Sequence, residues 1–108
     1  GILVPINEKY FIIDIIKKLK LPILLVARSG LGTINHTLLT VSELKKRNLP
    51  LQGIILNGKR NQSNKEAIEK YSGVSVVAEL EPLKTLDKKT LLSHKPGGKL
   101  DEIFASTG

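Results

Sequence analysis

Three short stretches of this sequence hold residue types suited to binding polar ligands. In Arg28-Ser29-Gly30-Leu31-Gly32-Thr33-Ile34-Asn35, two glycines stand just before a helix-like run. Glycine reaches backbone conformations closed to other residues, and the first amides of a helix lack partners within it, so such a turn attracts anions. The same residues serve equally as a tight strand-to-helix turn, with Thr33 or Asn35 as N-cap. The turn is not a Walker A loop, because no Gly-Lys-Ser or Gly-Lys-Thr follows at the required spacing, nor is it the six-residue dinucleotide fingerprint. Asn57-Gly58 closes an apolar run. Its side-chain amide offers donor and acceptor together and can read a purine edge, although the pair is also an ordinary Asn-Gly turn. In Glu79-Leu80-Glu81-Pro82-Leu83 two carboxylates stand two residues apart. Alternation along an extended segment points them the same way with nothing between, which predicts a solvated pair rather than an acid-base pair. His36 and His94 have no carboxylates at ligand spacing and the chain has no Cys, so neither a metal site nor thiol chemistry is expected.

The elements that carry these stretches follow from hydrophobic periodicity. Gly1 to Ile6 reads as a short buried strand, followed by Tyr10, Phe11, Ile12, Ile15, Ile16 and Leu19 at helical spacing, with Lys17, Lys18 and Lys20 near the helix end where cations suit its dipole. Ile23 to Ala27 is continuously apolar, as for a parallel strand covered on both faces. A helix from the glycine turn to about Arg47 has the stripe Ile34, Leu38, Val41 and Leu44. Leu49 to Leu56 is a third strand. Ser63 and Glu66 have capping-box spacing for a short helix bearing Ala67, Ile68 and Tyr71, which Gly73 stops. Val74 to Ala78 is a fourth strand, and the tail from Glu79 holds one or two weak helices between Pro82, Pro96 and Gly97-Gly98. Alternating strand and helix predict an α/β fold with a mainly parallel sheet, whose ligands bind beyond the carboxyl ends of the strands. The three stretches above are those loops.

Composition narrows the class further. The 108 residues carry a formal charge of +7, with the basic residues spread over helix-like stretches and only four aromatic residues beside them, which fits solvated helix faces better than a nucleic-acid surface. No run of eighteen apolar residues is present, so no membrane span is expected, and no basic n-region precedes the apolar opening. A cytoplasmic location follows as the expectation.

Gly1-Ile2-Leu3-Val4-Pro5, the block Leu21 to Thr40 with Gly-Thr-Ile-Asn-His followed by Thr-Leu-Leu-Thr, Gly53-Ile54-Ile55-Leu56-Asn57, and Glu79-Leu80 together resemble the dethiobiotin synthetase family in order and spacing. The central block is the specific part. The resemblance implies a three-layer P-loop NTPase-like fold in which residues 1–108 are the C-terminal portion of a single domain, the N-terminal half being absent. It implies an ATP- and Mg²⁺-dependent ligase of biotin biosynthesis that carboxylates 7,8-diaminopelargonate with carbon dioxide, phosphorylates the carbamate and closes the ring, acting as a homodimer. By the same resemblance Leu31, Gly32, Thr33, Ile34 and Asn35 hold the pelargonate carboxylate across the dimer interface. Asn57 and Gly58 read adenine, and Glu81, Pro82 and Leu83 line base and ribose. The phosphate loop, its lysine, the magnesium ligands and the lysine beside the reacting amines belong to the N-terminal half and have no counterpart here, so no catalytic or metal-binding residue is assigned and the chain alone is expected to be inactive. The alternative is a non-catalytic synthetase-like binding or regulatory domain.

Overall fold

The computed structural model describes residues 1–83, 86–93 and 97–98; His94 and Pro96 lie outside them. The elements are α1 (Ile12–Leu19), β1 (Ile23–Arg28), α2 (Thr33–Lys46), β2 (Leu51–Asn57), α3 (Gln62–Ser72), β3 (Val76–Leu80), α4 (Lys88–Ser93) and β4 (Gly97–Gly98). The sheet runs β1-β2-β3-β4, with the first three strands parallel and β4 antiparallel to β3. This is the α/β architecture with a mainly parallel sheet that the alternating pattern predicts.

Helices α2 and α3 pack on each other and against β1, β2 and β3, forming a helical layer beside the sheet. Between them lies the core: Val41 of α2, Ile68 of α3, Ile54 and Leu56 of β2, and Val76 of β3, joined by Leu25, Ala27 and Ile34. Strand side chains alternate, so Leu25 and Ala27 of β1 meet this core while Val26 takes the opposite face. Burial of Ile54 and Ile68, both wholly inaccessible, stabilises the layer by about 1.5–3 kcal/mol each. Lys45 Nζ donates to the carbonyl of Ser72, which ties the far ends of α2 and α3 together.

Several expectations are corrected. Gly1 to Ile6 forms no strand. Val4 and Ile2 instead accept from the amides of Ile12 and Ile13 at 3.0 and 2.9 Å, and Pro5 makes only an isolated bridge to Phe11. An apolar segment whose backbone is taken up by the start of a helix cannot also supply a sheet ladder. Strand β1 is not covered on both faces among the described residues, since Val26 is 59% exposed. The N-cap of α2 is Gly32 rather than Thr33 or Asn35. The cap of α3 is Asn61, whose Oδ1 accepts from the Asn64 amide at 3.0 Å, so the Ser63–Glu66 capping box does not form. The helix starts one residue before Ser63, which places Ser63 inside its first turn, and Glu66 accepts from Gln62 Nε2. Tyr71 projects to solvent beside Lys70 rather than into the core.

Candidate functional site

The parallel register brings the strand ends level: Arg28 lies beside Asn57, and Asn57 beside Leu80. The loops that follow these three residues therefore meet at one edge of the sheet, the edge at which open α/β sheets bind ligands. A larger cleft of about 610 Å³ lies at the opposite end of the strands, near Pro22 and Pro50, away from these loops.

At the centre of the edge, the first and second loops interlock. The Ser29 amide donates to the Asn57 carbonyl at 3.1 Å, and the Gly58 amide donates to the Leu80 carbonyl at 2.8 Å. Gly58 has φ +134°, and a Cβ there would stand 2.5 Å from Ser29 Oγ. Any other residue at 58 meets backbone strain, and its Cβ would also force the Ser29 hydroxyl to turn away. Ser29 is itself buried, and its carbonyl accepts from Asn64 Nδ2 of α3 at 3.0 Å. The side chain of Asn57, in contrast, is exposed at the strand end, where an amide can present both donor and acceptor to a ligand.

The glycine turn forms the second part of the site. Gly32, at φ +84°, starts α2 without a side-chain cap, and no acid in the first turn neutralises the dipole of this fourteen-residue helix, although the first helical amide, that of Thr33, already donates to the Gly30 carbonyl at 3.2 Å. A cleft of about 440 Å³ opens beside it between β1 and α2. Its walls include Arg28, Leu31, Thr33, His36, Thr37 and Thr40. Thr33 and Thr37 are buried, with their hydroxyls 3.4 Å apart.

The five residues Leu31 to Asn35 do not converge as side chains. Leu31 is fully exposed at the cleft rim, Thr33 lines the wall, Ile34 packs against the core, and Asn35 is exposed on α2 without lining the cleft. What they share is the backbone of the helix start. Beside Thr33 the cleft also holds Thr37 and Thr40, to which the sequence reading gave no role. Thr33, His36, Thr37 and Thr40 stand at i, i+3, i+4 and i+7, a polar stripe on one helix face that could have been read beside the apolar one.

The third part overturns the solvated carboxylate pair. Arg60, from the loop after β2, sits between the two acids: its Nε lies 3.2 Å from Glu79 Oε2 and 2.9 Å from Glu81 Oε1. Lys65 of α3 reaches the other oxygen of Glu79 at 3.3 Å. The side chain of Glu79 is only 15% exposed, whereas those of Glu81 and Arg60 are more than half exposed. The alternation argument correctly aimed both acids one way; the cation between them comes from a loop about twenty residues earlier and cannot be read from local spacing. Pro82 and Leu83 follow directly, beside this cluster.

Among the described residues no group of three or more His, Cys, Asp or Glu could hold a metal ion, and no helix is long and apolar enough to cross a membrane.

A three-strand parallel sheet interleaved with helices is the architecture of P-loop-type α/β domains. Residues 1–90 match the family model described as an AAA domain, and the chain belongs to that family. It is similar to the ATP-dependent dethiobiotin synthetase BioD of Paramagnetospirillum magneticum, 49% identical over 96 residues that make up 89% of this chain and 47% of that protein. The corresponding enzyme of Lawsonia intracellularis is 45% identical over 104 residues, 96% of this chain and 51% of the relative. The biotin biosynthesis bifunctional protein BioCD of Bordetella avium is 43% identical over 107 residues, 98% of this chain and 23% of the relative. The chain spans about half the length of the first two relatives. The resemblance seen in the motifs thus extends through nearly all of the sequence.

Proposed function

We propose that this chain is the C-terminal part of a dethiobiotin synthetase domain, supplying its adenine-binding and substrate-carboxylate-binding side. The observation that carries this reading is the interlock of Ser29 and Gly58, which sets an exposed Asn57 amide and an uncapped helix start on one edge of the sheet. The similarity to ATP-dependent dethiobiotin synthetases supports the reaction: carboxylation of 7,8-diaminopelargonate by carbon dioxide and ATP-dependent ring closure.

In this reading Asn57 reads the adenine edge with both its donor and its acceptor, while Gly58 permits the base to approach the backbone. Glu81, Pro82 and Leu83 form the far wall against base and ribose. The amides of Gly32, Ile34 and Asn35 bind the pelargonate carboxylate, stabilised by the positive end of α2, while Thr33, whose amide donates to Gly30, lines the wall and Leu31 covers the substrate chain from the rim. The substrate is shared across a homodimer in the cytoplasm. ATP supplies the phosphoryl group with Mg²⁺ when both are bound; their phosphate and metal contacts come from an N-terminal half, so this chain alone carries no activity.

The exposed edge of β1 is where that half pairs. Among the described residues the outer backbone of β1 is unpaired and can accept another strand, while Val26 leaves an apolar patch on the sheet face beside it. The test is carbon dioxide incorporated into dethiobiotin by this chain, by a separately produced N-terminal half, and by both together. Activity is expected from the mixture only. Turnover by this chain alone refutes the assignment of phosphoryl transfer to the other half, and a soluble, monomeric chain that binds ligand without supporting turnover in the mixture favours a binding or regulatory domain.

A further inference from the structure

We propose that Arg60 is a positioning residue of the nucleotide pocket: it clips Glu79 and Glu81 together and so holds the wall 81–83 in place opposite Asn57. The inference rests on the adenine-site reading above and adds to it a residue that makes no contact with the base in that reading.

The argument starts from what holds each side of the pocket. Asn57 is fixed by the strand ladder, by the Ser29 amide on its carbonyl and by the close approach of Gly58 to Ser29. The wall opposite has no such support. Strand β3 ends at Leu80, whose carbonyl accepts from Gly58, and residues 81–83 continue beyond the ladder. Pro82 has no amide to donate, so the segment depends on side chains for its placement. Arg60 provides this by bonding the last β3 carboxylate and the first carboxylate past the strand with one guanidinium group, at 3.2 and 2.9 Å.

Both acids approach the Nε of Arg60, which carries one N–H, so they are held chiefly by sharing one positive charge rather than by two arms of the guanidinium fork. Lys65 completes the charge balance. It binds the second oxygen of Glu79 at 3.3 Å, so two cations face two carboxylates and the mostly buried Glu79 stays paired. Lys65 and Asn64 are neighbours in the first turn of α3, and Asn64 reaches the Ser29 carbonyl. The same helix start therefore braces both the interlock under Asn57 and the acid pair under the far wall. Because Arg60 is about 60% exposed, salt should weaken its contribution more than that of a buried contact.

The experiment uses the full-length synthetase with Arg60→Gln, Arg60→Lys and, as a reference for the base site, Asn57→Ala. Steady-state constants for ATP and diaminopelargonate are measured at low and high salt, and amide hydrogen exchange is followed in the nucleotide-free protein. Arg60→Gln is expected to raise the KM for ATP about five- to twentyfold with kcat within twofold and the KM for diaminopelargonate unchanged, to speed exchange in the peptide covering Glu79 to Leu83, and to leave the core of β2 protected. Arg60→Lys should recover part of both effects. In wild type the KM for ATP should rise with salt, and in Arg60→Gln it should rise less.

If exchange at residues 79–83 accelerates while the KM for ATP stays within twofold, or if both substrates weaken equally, the positioning role is refuted. A weakened ATP site in Asn57→Ala beside an unchanged Arg60→Gln refutes the clip and keeps the base-site reading. The reverse pattern removes Asn57 from the site and keeps the clip, and no effect from either overturns both.

Discussion

Replacing Gly58 by alanine tests the interlock on which the site is built. Two costs combine in Gly58→Ala. The first is backbone strain at φ +134°, a conformation that L side chains rarely adopt, about 1–3 kcal/mol. The second is the new Cβ at 2.5 Å from Ser29 Oγ. The Ser29 backbone is held, its amide by the Asn57 carbonyl and its carbonyl by Asn64 Nδ2, so relief must come from turning Oγ about χ1 inside a buried site. Overpacking of this kind adds about 1–3 kcal/mol. The two shares can be separated, because without Oγ the nearest Ser29 atoms are Cβ at 3.6 Å and N at 3.7 Å, ordinary contact distances. Ser29→Ala in the Gly58→Ala background should therefore recover the clash share and leave the strain. The assay is a double-mutant cycle by urea denaturation of the full-length protein, with ATP affinity measured on the same four proteins. Gly58→Ala should lose about 2–6 kcal/mol of stability and bind ATP more weakly, with the double variant about 1–3 kcal/mol better. A single variant within about 0.5 kcal/mol of wild type, or a double variant no better than the single, would refute the interlock; surface changes away from such features typically stay within that margin.

Three further outcomes follow from the same geometry. Asn57→Ala in the full-length enzyme should weaken ATP by about 1–3 kcal/mol and reduce the preference for ATP over GTP, since the lost amide faces the base edge; unchanged kinetics with both nucleotides remove Asn57 from the site. Gly32→Val should raise the KM for diaminopelargonate far more than that for ATP. The nearest atom to a Cβ at 32 is His36 Cε1 at 3.9 Å, so the effect comes from forcing a β-branched residue to φ +84° at the start of α2, and equal changes for both substrates would indicate general misfolding. Asn61→Ala should lower stability by about 1 kcal/mol through loss of the α3 cap, while Ser63→Ala should change it by a few tenths at most; thermal denaturation of the two variants gives the order, and the reverse order restores the Ser63 cap.

Much of the architecture was legible in local pattern. The apolar runs at Ile23–Arg28 and Leu51–Asn57, the stripe containing Val41 and Leu44, and the stop at Gly73 each depend on residues within one element, so periodicity and turn chemistry located β1, β2, α2 and α3 to within a few positions. The motif block from Leu21 to Thr40 similarly carried the family resemblance that the comparisons bear out. The rule that parallel strands present their ligands at the carboxyl ends pointed to three loops that the register sets along one edge of the sheet.

Tertiary structure decided whatever required a partner distant in sequence. Gly1 to Ile6 has the composition of a strand, but its carbonyls are taken by the amides of Ile12 and Ile13. Asn57-Gly58 reads as a common turn until Ser29, nearly thirty residues away, is found against it. Glu79 and Glu81 look like free surface charges until Arg60 and Lys65 arrive from the preceding loop and helix. Side-chain period and glycine content are properties of the local backbone, whereas hydrogen bonds and ion pairs between loops depend on which strand ends the sheet register sets side by side.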